Sequence, residues 1–146
     1  MTIHLPDCPL CAAQDENILW QDASCRVIRV ADPDYPGYCR LIWKSHVAEM
    51  SDLTPAEQLH CFKILMGVEV ALRECFQPAK INLASLGNMV PHLHWHLIPR
   101  YREDRHFPQP IWGSARPEIQ ASPAPAVDDT RLAVAIRNAI AEQLAG

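Results

Sequence analysis

No stretch of this chain is apolar for the roughly twenty residues that a membrane span requires. Its opening, MTIHLPDCPLC, lacks the charged start and apolar centre of a secretory leader, so a cytoplasmic location is expected. Positive charge is not in excess either. Lys and Arg number 13 against 17 Asp and Glu, a net charge of −4 that argues against bulk nucleic-acid binding. There is no internal repeat. Six cysteines without an export signal do not read as a disulfide framework. These absences leave a soluble domain of 146 residues, long enough to bury a core unaided.

Four of the cysteines read as small buried hydrophobes: Cys61 and Cys75 on one face of an expected helix, Cys25 and Cys39 in strand-like stretches. Cys8 and Cys11 differ. CPLC has the two-residue gap of a metal half-site but no second half at zinc-finger distance, so metal, redox and no role all stay open from spacing alone.

Chemistry concentrates in PHLHWHLIPR, residues 91–100, where three of the seven histidines occupy alternate positions. Leu93, Trp95 and Leu97 interleave with His92, His94 and His96, the period of a strand. The apolar set then faces a core and the imidazoles share the other face, about 6.7 Å apart. Crowded imidazoles repel when protonated and contribute little as core filler, so this is expected to be a functional face. Pro99, with no N–H to donate, is expected to end the strand. Arg100, Arg102, Arg105 and His106 follow at once. Such a run is ordinarily a solvated loop, but beside the histidines it points to an anionic ligand.

Around this strand, NILWQD and CRVIRVAD read as two short strands joined by Asp22-Ala23-Ser24, and YCRLIWK as a third after the turn PDYPG. Thr54 as N-cap, Pro55 at the first helical position and Glu57 three residues on from the cap mark the start of a long helix. Leu59, Phe62, Leu65, Met66 and Leu72 recur along it until about Phe76. KINLASL is a fourth strand and the histidine stretch a fifth. From Phe107 five prolines, the last Pro125, mark an irregular connection over 107–128. A helix over 129–146 follows, with Leu132, Ile136, Ile140 and Leu144 on one side. The expected fold is α+β, with a mostly antiparallel five-stranded sheet and one long helix. His4 and His60 are expected at the surface.

The stretch NLASLGNMVPHLHWHLIPR, residues 82–100, resembles the signature of the histidine triad (HIT) family of nucleotide hydrolases and transferases, in particular bacterial members labelled diadenosine tetraphosphate hydrolases. Its pattern, His-apolar-His-apolar-His followed by two apolar residues, is met from His92 to Ile98. CPLC, a Trp-Gln-Asp strand and RLIWKSH before a helix fall in the family's order. The likeness runs from Cys8 to His106, so residues 1–106 are expected to form the HIT domain, with the tail outside it as an accessory element.

The resemblance implies that His94 is the nucleophile, attacking the α-phosphorus of a purine nucleotide to form a covalent nucleotidyl-histidine that water resolves. His96 and Asn88 would complete the catalytic set, with Asn88 where the family usually has glutamine; beside Gly87 it also reads as a plain turn residue. Asp32, Asn82, His92 and Trp112 would contact substrate. In zinc-containing members a Cys-x-x-Cys pair joins two histidines, and the matching set here is Cys8, Cys11, His46 and His92, a closed structural zinc site over the segment 1–16. A homodimer through the long helix and fourth strand is implied, to which Leu83 and Leu86 would contribute. Trp112 is expected to reach the partner's site, and the tail helix to be dispensable. Two departures stand out: the loop Ala84–Met89 is shorter than the family's, and Trp43 replaces its proline. No organic cofactor, nucleic acid or membrane is expected. Phosphoramidates, acyl-adenylates and dinucleoside polyphosphates all remain possible substrates. Two rival readings also remain, a strand-based His-x-His zinc metalloenzyme and a nucleotide-binding regulatory module with little turnover.

Overall fold

The computed structural model describes residues 2–146. After a single helical turn α1 (Pro9–Ala12), strands β1 (Asn17–Gln21), β2 (Cys25–Arg29) and β3 (Cys39–Trp43) lead into the long helix α2 (Pro55–Phe76). Then come β4 (Lys80–Ala84), β5 (His94–Arg100) and α3 (Asp129–Ala145). The five strands form one sheet in the order β1-β2-β3-β5-β4, and every neighbouring pair is antiparallel. This is the α+β fold expected. Among the described residues, no helix is long and apolar enough to cross a membrane.

Helix α2 starts where its cap signals place it. The Thr54 hydroxyl accepts from the Glu57 backbone N–H, and the Glu57 carboxylate accepts in return from the Thr54 N–H. Its buried face is not quite the stripe expected. Cys61, Ile64, Leu65, Val68, Ala71, Leu72, Cys75 and Phe76 are buried, whereas Leu59 and Phe62 stand exposed. Phe62 still meets the sheet at one edge, its ring centroid 5.9 Å from that of Trp95.

The tail departs most from expectation. Leu132, Ile136 and Ile140 of α3 are fully buried in the same core as α2 and the sheet, while Leu144 is exposed. The two helices can approach because α2 carries Gly67 at the crossing, where a Cβ would lie 2.8 Å from the backbone of Ile140. Asp129 at the start of α3 accepts from Asn17 and Arg29, which ties the helix to β1 and β2. The helix is therefore a wall of the core rather than a dispensable appendage. A chain cut after Gly113 would expose those leucine and isoleucine side chains to water.

Two further boundaries are corrected. β5 begins at His94, so His92 precedes the strand rather than lying on it. Pro99 lies inside β5, paired with Ile81 of β4. It is tolerated because the ladder to β3 has already ended at Leu97, which leaves a single neighbour to satisfy. The cysteines assigned to the core are there: Cys25, Cys39, Cys61 and Cys75 are all buried and free.

Candidate functional site

The three histidines divide between two sites. Leu93 and Leu97 are buried in the core, and Trp95 packs against it half-buried, so the imidazoles do occupy the opposite side of the chain. His92 turns inward and is completely buried. Its Nε2 lies 2.5 Å from the Trp43 carbonyl oxygen, which can only accept, so Nε2 carries the proton and Nδ1 keeps its lone pair. That Nδ1 faces Cys8 Sγ at 3.4 Å, Cys11 Sγ at 3.5 Å and His46 Nδ1 at 3.2 Å. Cys11 Sγ also lies 3.5 Å from His46 Nδ1. A tetrahedron with the usual zinc–sulfur and zinc–nitrogen bonds has edges of about 3.5 Å between S and N and about 3.3 Å between two N. The four residues thus form a cluster that could hold a metal ion. Burial, the main cause, lowers the pKa of His92 and raises that of Cys11.

The N-terminal segment is brought to this cluster by hydrogen bonds the sequence did not announce. Buried Arg26 pairs with Glu16 at 2.6 Å and donates to the Leu10 carbonyl, while the His46 N–H donates to the carbonyl of Ile3. His92 has no ring nitrogen left to face a substrate, which corrects its expected place among the substrate contacts.

His94 uses the opposite ring nitrogen. Its Nδ1 lies 2.6 Å from the His92 carbonyl oxygen, so Nδ1–H donates and the Nε2 lone pair is free. Burial, opposed by this bond and assisted by the charge of Arg40, lowers its pKa and keeps the ring neutral. His96 follows on the strand with its ring 4.9 Å from that of His94, and its Nδ1 is hydrogen-bonded to the Tyr38 hydroxyl. Burial, then His94, then Arg40 bring its pKa down to about 4. Both rings line a cleft of about 340 Å³ together with Arg40, Asn88, Met89 and Trp112. Asn88 is exposed in the short loop where Gly87 takes a left-handed φ of 78°, so it fits the turn reading and still borders the cleft.

Trp112 lies over its own chain's His96, with ring centroids 5.1 Å apart, which corrects the expectation that it reaches across a dimer. Its neighbour Ile111 packs onto Tyr35, Tyr38 and Ile98, and this small second core holds the segment against its own sheet. Asp32 and Asn82 do not reach the cleft. The Asp32 carboxylate caps its own turn through the Asp34 N–H and lines a separate groove beside Arg29. Asn82 accepts from Arg100 at 2.7 Å.

The positive run after β5 is likewise spoken for. Arg100 is buried and donates twice to Asp104, and Arg105 pairs with Asp34. His106 bonds the Tyr35 hydroxyl. Burial would raise the pKa of Asp104, but Arg100 and three backbone N–H groups outweigh it and hold the carboxyl well below the usual range. Arg100 and Arg105 are structural because their counter-charges come from the protein itself, Asp104 beside them and Asp34 in the turn between β2 and β3. His60, expected at the surface, is half-buried and bonds Asp22 at 2.7 Å, pinning α2 to the β1–β2 turn.

Sequence reasoning missed Arg40 and Tyr38. Both stand on β3 or just before it, and only strand pairing brings them opposite β5: Arg40 pairs with His96 in register, and Ile42 with His94. Neither His94 nor His96 belongs to a group of three metal-ligating residues among the described residues, so the His-x-His metalloenzyme finds no third ligand.

Comparison with known proteins agrees with this geometry. The sequence profile of the HIT domain family matches residues 12–103. The bis(5'-nucleosyl)-tetraphosphatase (asymmetrical) of Schizosaccharomyces pombe is 31% identical over 77 residues, 49% of this chain and 42% of that protein. The bis(5'-adenosyl)-triphosphatase of Saccharomyces cerevisiae is 34% identical over 76 residues, 48% of this chain and 37% of that protein. The chain spans about two fifths of the length of these curated relatives. A solved histidine triad protein of Bradyrhizobium japonicum superimposes with a TM-score of 0.67 at 29% identity, covering 86% of this chain and 91% of that one.

Proposed function

The chain belongs to the HIT domain family, and from that premise we propose that it is a nucleotide hydrolase or nucleotidyl transferase. It cleaves at the α-phosphate of an adenosine or other purine nucleotide through a covalent nucleotidyl-His94. The observation that carries the reading is the Nδ1–H bond from His94 to the His92 carbonyl, which leaves Nε2 unprotonated and open to the cleft. With the Tyr38 hydroxyl donating to Nδ1, His96 presents Nε2–H as a donor to phosphate oxygens or the leaving group. Asn88 supplies an amide donor from the loop, and Trp112 a flat apolar wall for the nucleotide. The relatives named for bis-nucleosyl polyphosphates support a phosphoanhydride substrate. Mass spectrometry after mixing with a panel of adenosine polyphosphates is the test. A nucleotidyl adduct on wild type that is lost in His94→Ala is expected, and turnover without an adduct in either protein overturns the mechanism.

Cys8, Cys11, His46 and His92 are proposed as ligands of a structural zinc ion, which their donor set and mutual distances fit. Zinc there would neutralise the two thiolates and fasten residues 1–16 to the strand that bears the nucleophile. The Trp43 carbonyl orients His92 for that role from the far ring nitrogen.

The protein is further proposed to act as a homodimer in the cytoplasm. β4 is an edge strand with one unpaired side. Leu86 just after it and Leu59 and Phe62 on α2 are exposed, apolar surface that a second copy would cover. Light scattering is the check: a dimeric mass is expected, and a fully active monomer overturns the assembly.

A further inference from the structure

Arg40 is the feature the family reading does not absorb. Arg26, Arg29, Arg100, Arg105 and Arg116 each hold a carboxylate. Among the described residues, Arg40 is the one half-buried arginine without such a partner. Its Nε is buried and has no hydrogen-bond partner. An arginine so placed carries the cost of desolvation with no counter-charge, unless a ligand brings one. Its guanidinium is within 5.5 Å of the Tyr38 ring, and the side chain lines the cleft of His94 and His96, where no carboxylate lines the wall.

Its position along the cleft is informative. Arg40 stands opposite His96, whereas the residue opposite the nucleophile His94 is Ile42. The positive charge is therefore displaced along the strand from the attacking nitrogen to the side of His96, the group assigned above to the leaving group. Resting on the nucleotidyl-histidine reading, we propose that Arg40 receives the phosphate of the leaving group, and so selects nucleotides that lose a phosphate over those that lose an amine.

The chemistry balances as follows. The Nε2 lone pair of His94 forms the N–P bond, and the P–O bond to the leaving phosphate breaks with its electron pair moving onto that oxygen. A guanidinium at that oxygen neutralises the charge as it grows. A phosphoramidate nitrogen takes up a proton from solvent before its P–N bond breaks, so the amine leaves neutral and presents no anion to Arg40. Water then attacks phosphorus, the N–P bond breaks with its pair returning to His94, and one water proton passes to solvent.

The test compares kcat/KM for diadenosine tetraphosphate and for adenosine 5'-phosphoramidate in wild type, Arg40→Gln and Arg40→Lys. Removing one such donor is expected to cost about a hundredfold on the tetraphosphate. The phosphoramidate should change by less than about threefold, and lysine should recover part of the loss as a point charge. Competitive inhibition by inorganic tripolyphosphate should weaken about tenfold in Arg40→Lys, a readout that remains if the glutamine variant fails to fold. Equal losses on both substrates, with unchanged tripolyphosphate inhibition, overturn the assignment alone. A wild-type protein inert toward both substrates and free of adduct overturns the nucleotide reading, and this assignment with it.

Discussion

His92 and His94 are two residues apart and use the same device on opposite ring nitrogens. His92 gives its Nε2–H to the carbonyl of Trp43, and His94 gives its Nδ1–H to the carbonyl of His92. Each keeps one lone pair. That of His92 points into a closed, buried cluster of two thiols and a second imidazole, and that of His94 into a cleft whose lining includes Arg40 and no carboxylate. In a repeated motif, the backbone carbonyl next to each ring decides which nitrogen is offered and therefore which chemistry follows.

The sharpest way to break this pairing is at His94, the proposed nucleophile. His94→Ala should lower turnover by at least about a thousandfold while nucleotide binding stays within about tenfold, because the lost group forms a bond rather than the pocket. Steady-state kinetics and equilibrium binding read the two effects separately, and turnover near wild type would sink the covalent route.

The other half of the comparison is broken through Cys11→Ser. Protein made under reducing, zinc-replete conditions is expected to hold about one zinc per chain, and the variant to lose it. Binding at a thousandfold excess over Kd stabilises the native state by about 4 kcal/mol. For a chain of this size that is a fall in Tm of roughly 10 °C. Elemental analysis and calorimetry check both, and wild-type protein free of zinc under those conditions contradicts the assignment. The fraction that remains folded should keep its activity, since the lone pair of His94 is untouched.

A loss of fold without a preference for either site comes from Leu132→Ala in the tail helix. Emptying this fully buried position should cost about 3 kcal/mol in denaturant unfolding. The metal content and kcat of the folded protein should not move. A tail that is merely accessory would show no stability loss.

Acid separates the sites more gently. The pKa of His96 is near 4 in the native protein against 6.5 for a free imidazole. Between these values the unfolded chain binds more protons, so this contribution is complete above about pH 6.5 and erodes as pH falls toward 4. Asp104, held low by Arg100 and backbone N–H groups, erodes in the same direction at more acidic pH. Thermal unfolding from pH 7.5 to 4.5 should steepen downward, and His96→Gln should flatten part of the slope. An identical slope in both proteins would contradict the buried, neutral state of His96.

The smallest effect is expected from Trp112→Ala. Half-exposed and resting on His96, this ring should matter by a few-fold in relative preference among nucleotides and little in Tm. Parallel kcat/KM measurements on two substrates would show it, and an unchanged ratio would remove Trp112 from the substrate contacts.

How far the sequence could be read depended on whether the signal was local. The capping box of α2, the period of the strands and the burial of four cysteines are local consequences of residue type, and they were legible. Alternation made the histidine triad legible as a face, and its division into two sites came only from the family resemblance. Alternation says which side chains share a side, and cannot say that His92 precedes the strand and turns toward Cys8. Arg100, Arg102, Arg105 and His106 looked like the anion receptor because charge is visible in a sequence and counter-charge is not. Asp104 and Asp34 neutralise Arg100 and Arg105, and among the described residues the half-buried arginine without a carboxylate was Arg40, a lone charge inside an apolar strand. Asp32 and Asn82 were carried over by position, but their side chains are engaged by Asp34 and Arg100.

By itself, then, the sequence determined the elements and the family, because backbone periodicity, cap chemistry and a compact motif act over a few residues. Only the tertiary structure decided that His92 turns wholly away from the cleft, which half-buried arginine lacks a carboxylate and that the last helix belongs to the core. Each of those outcomes depends on a partner many positions away along the chain, and register and packing choose that partner.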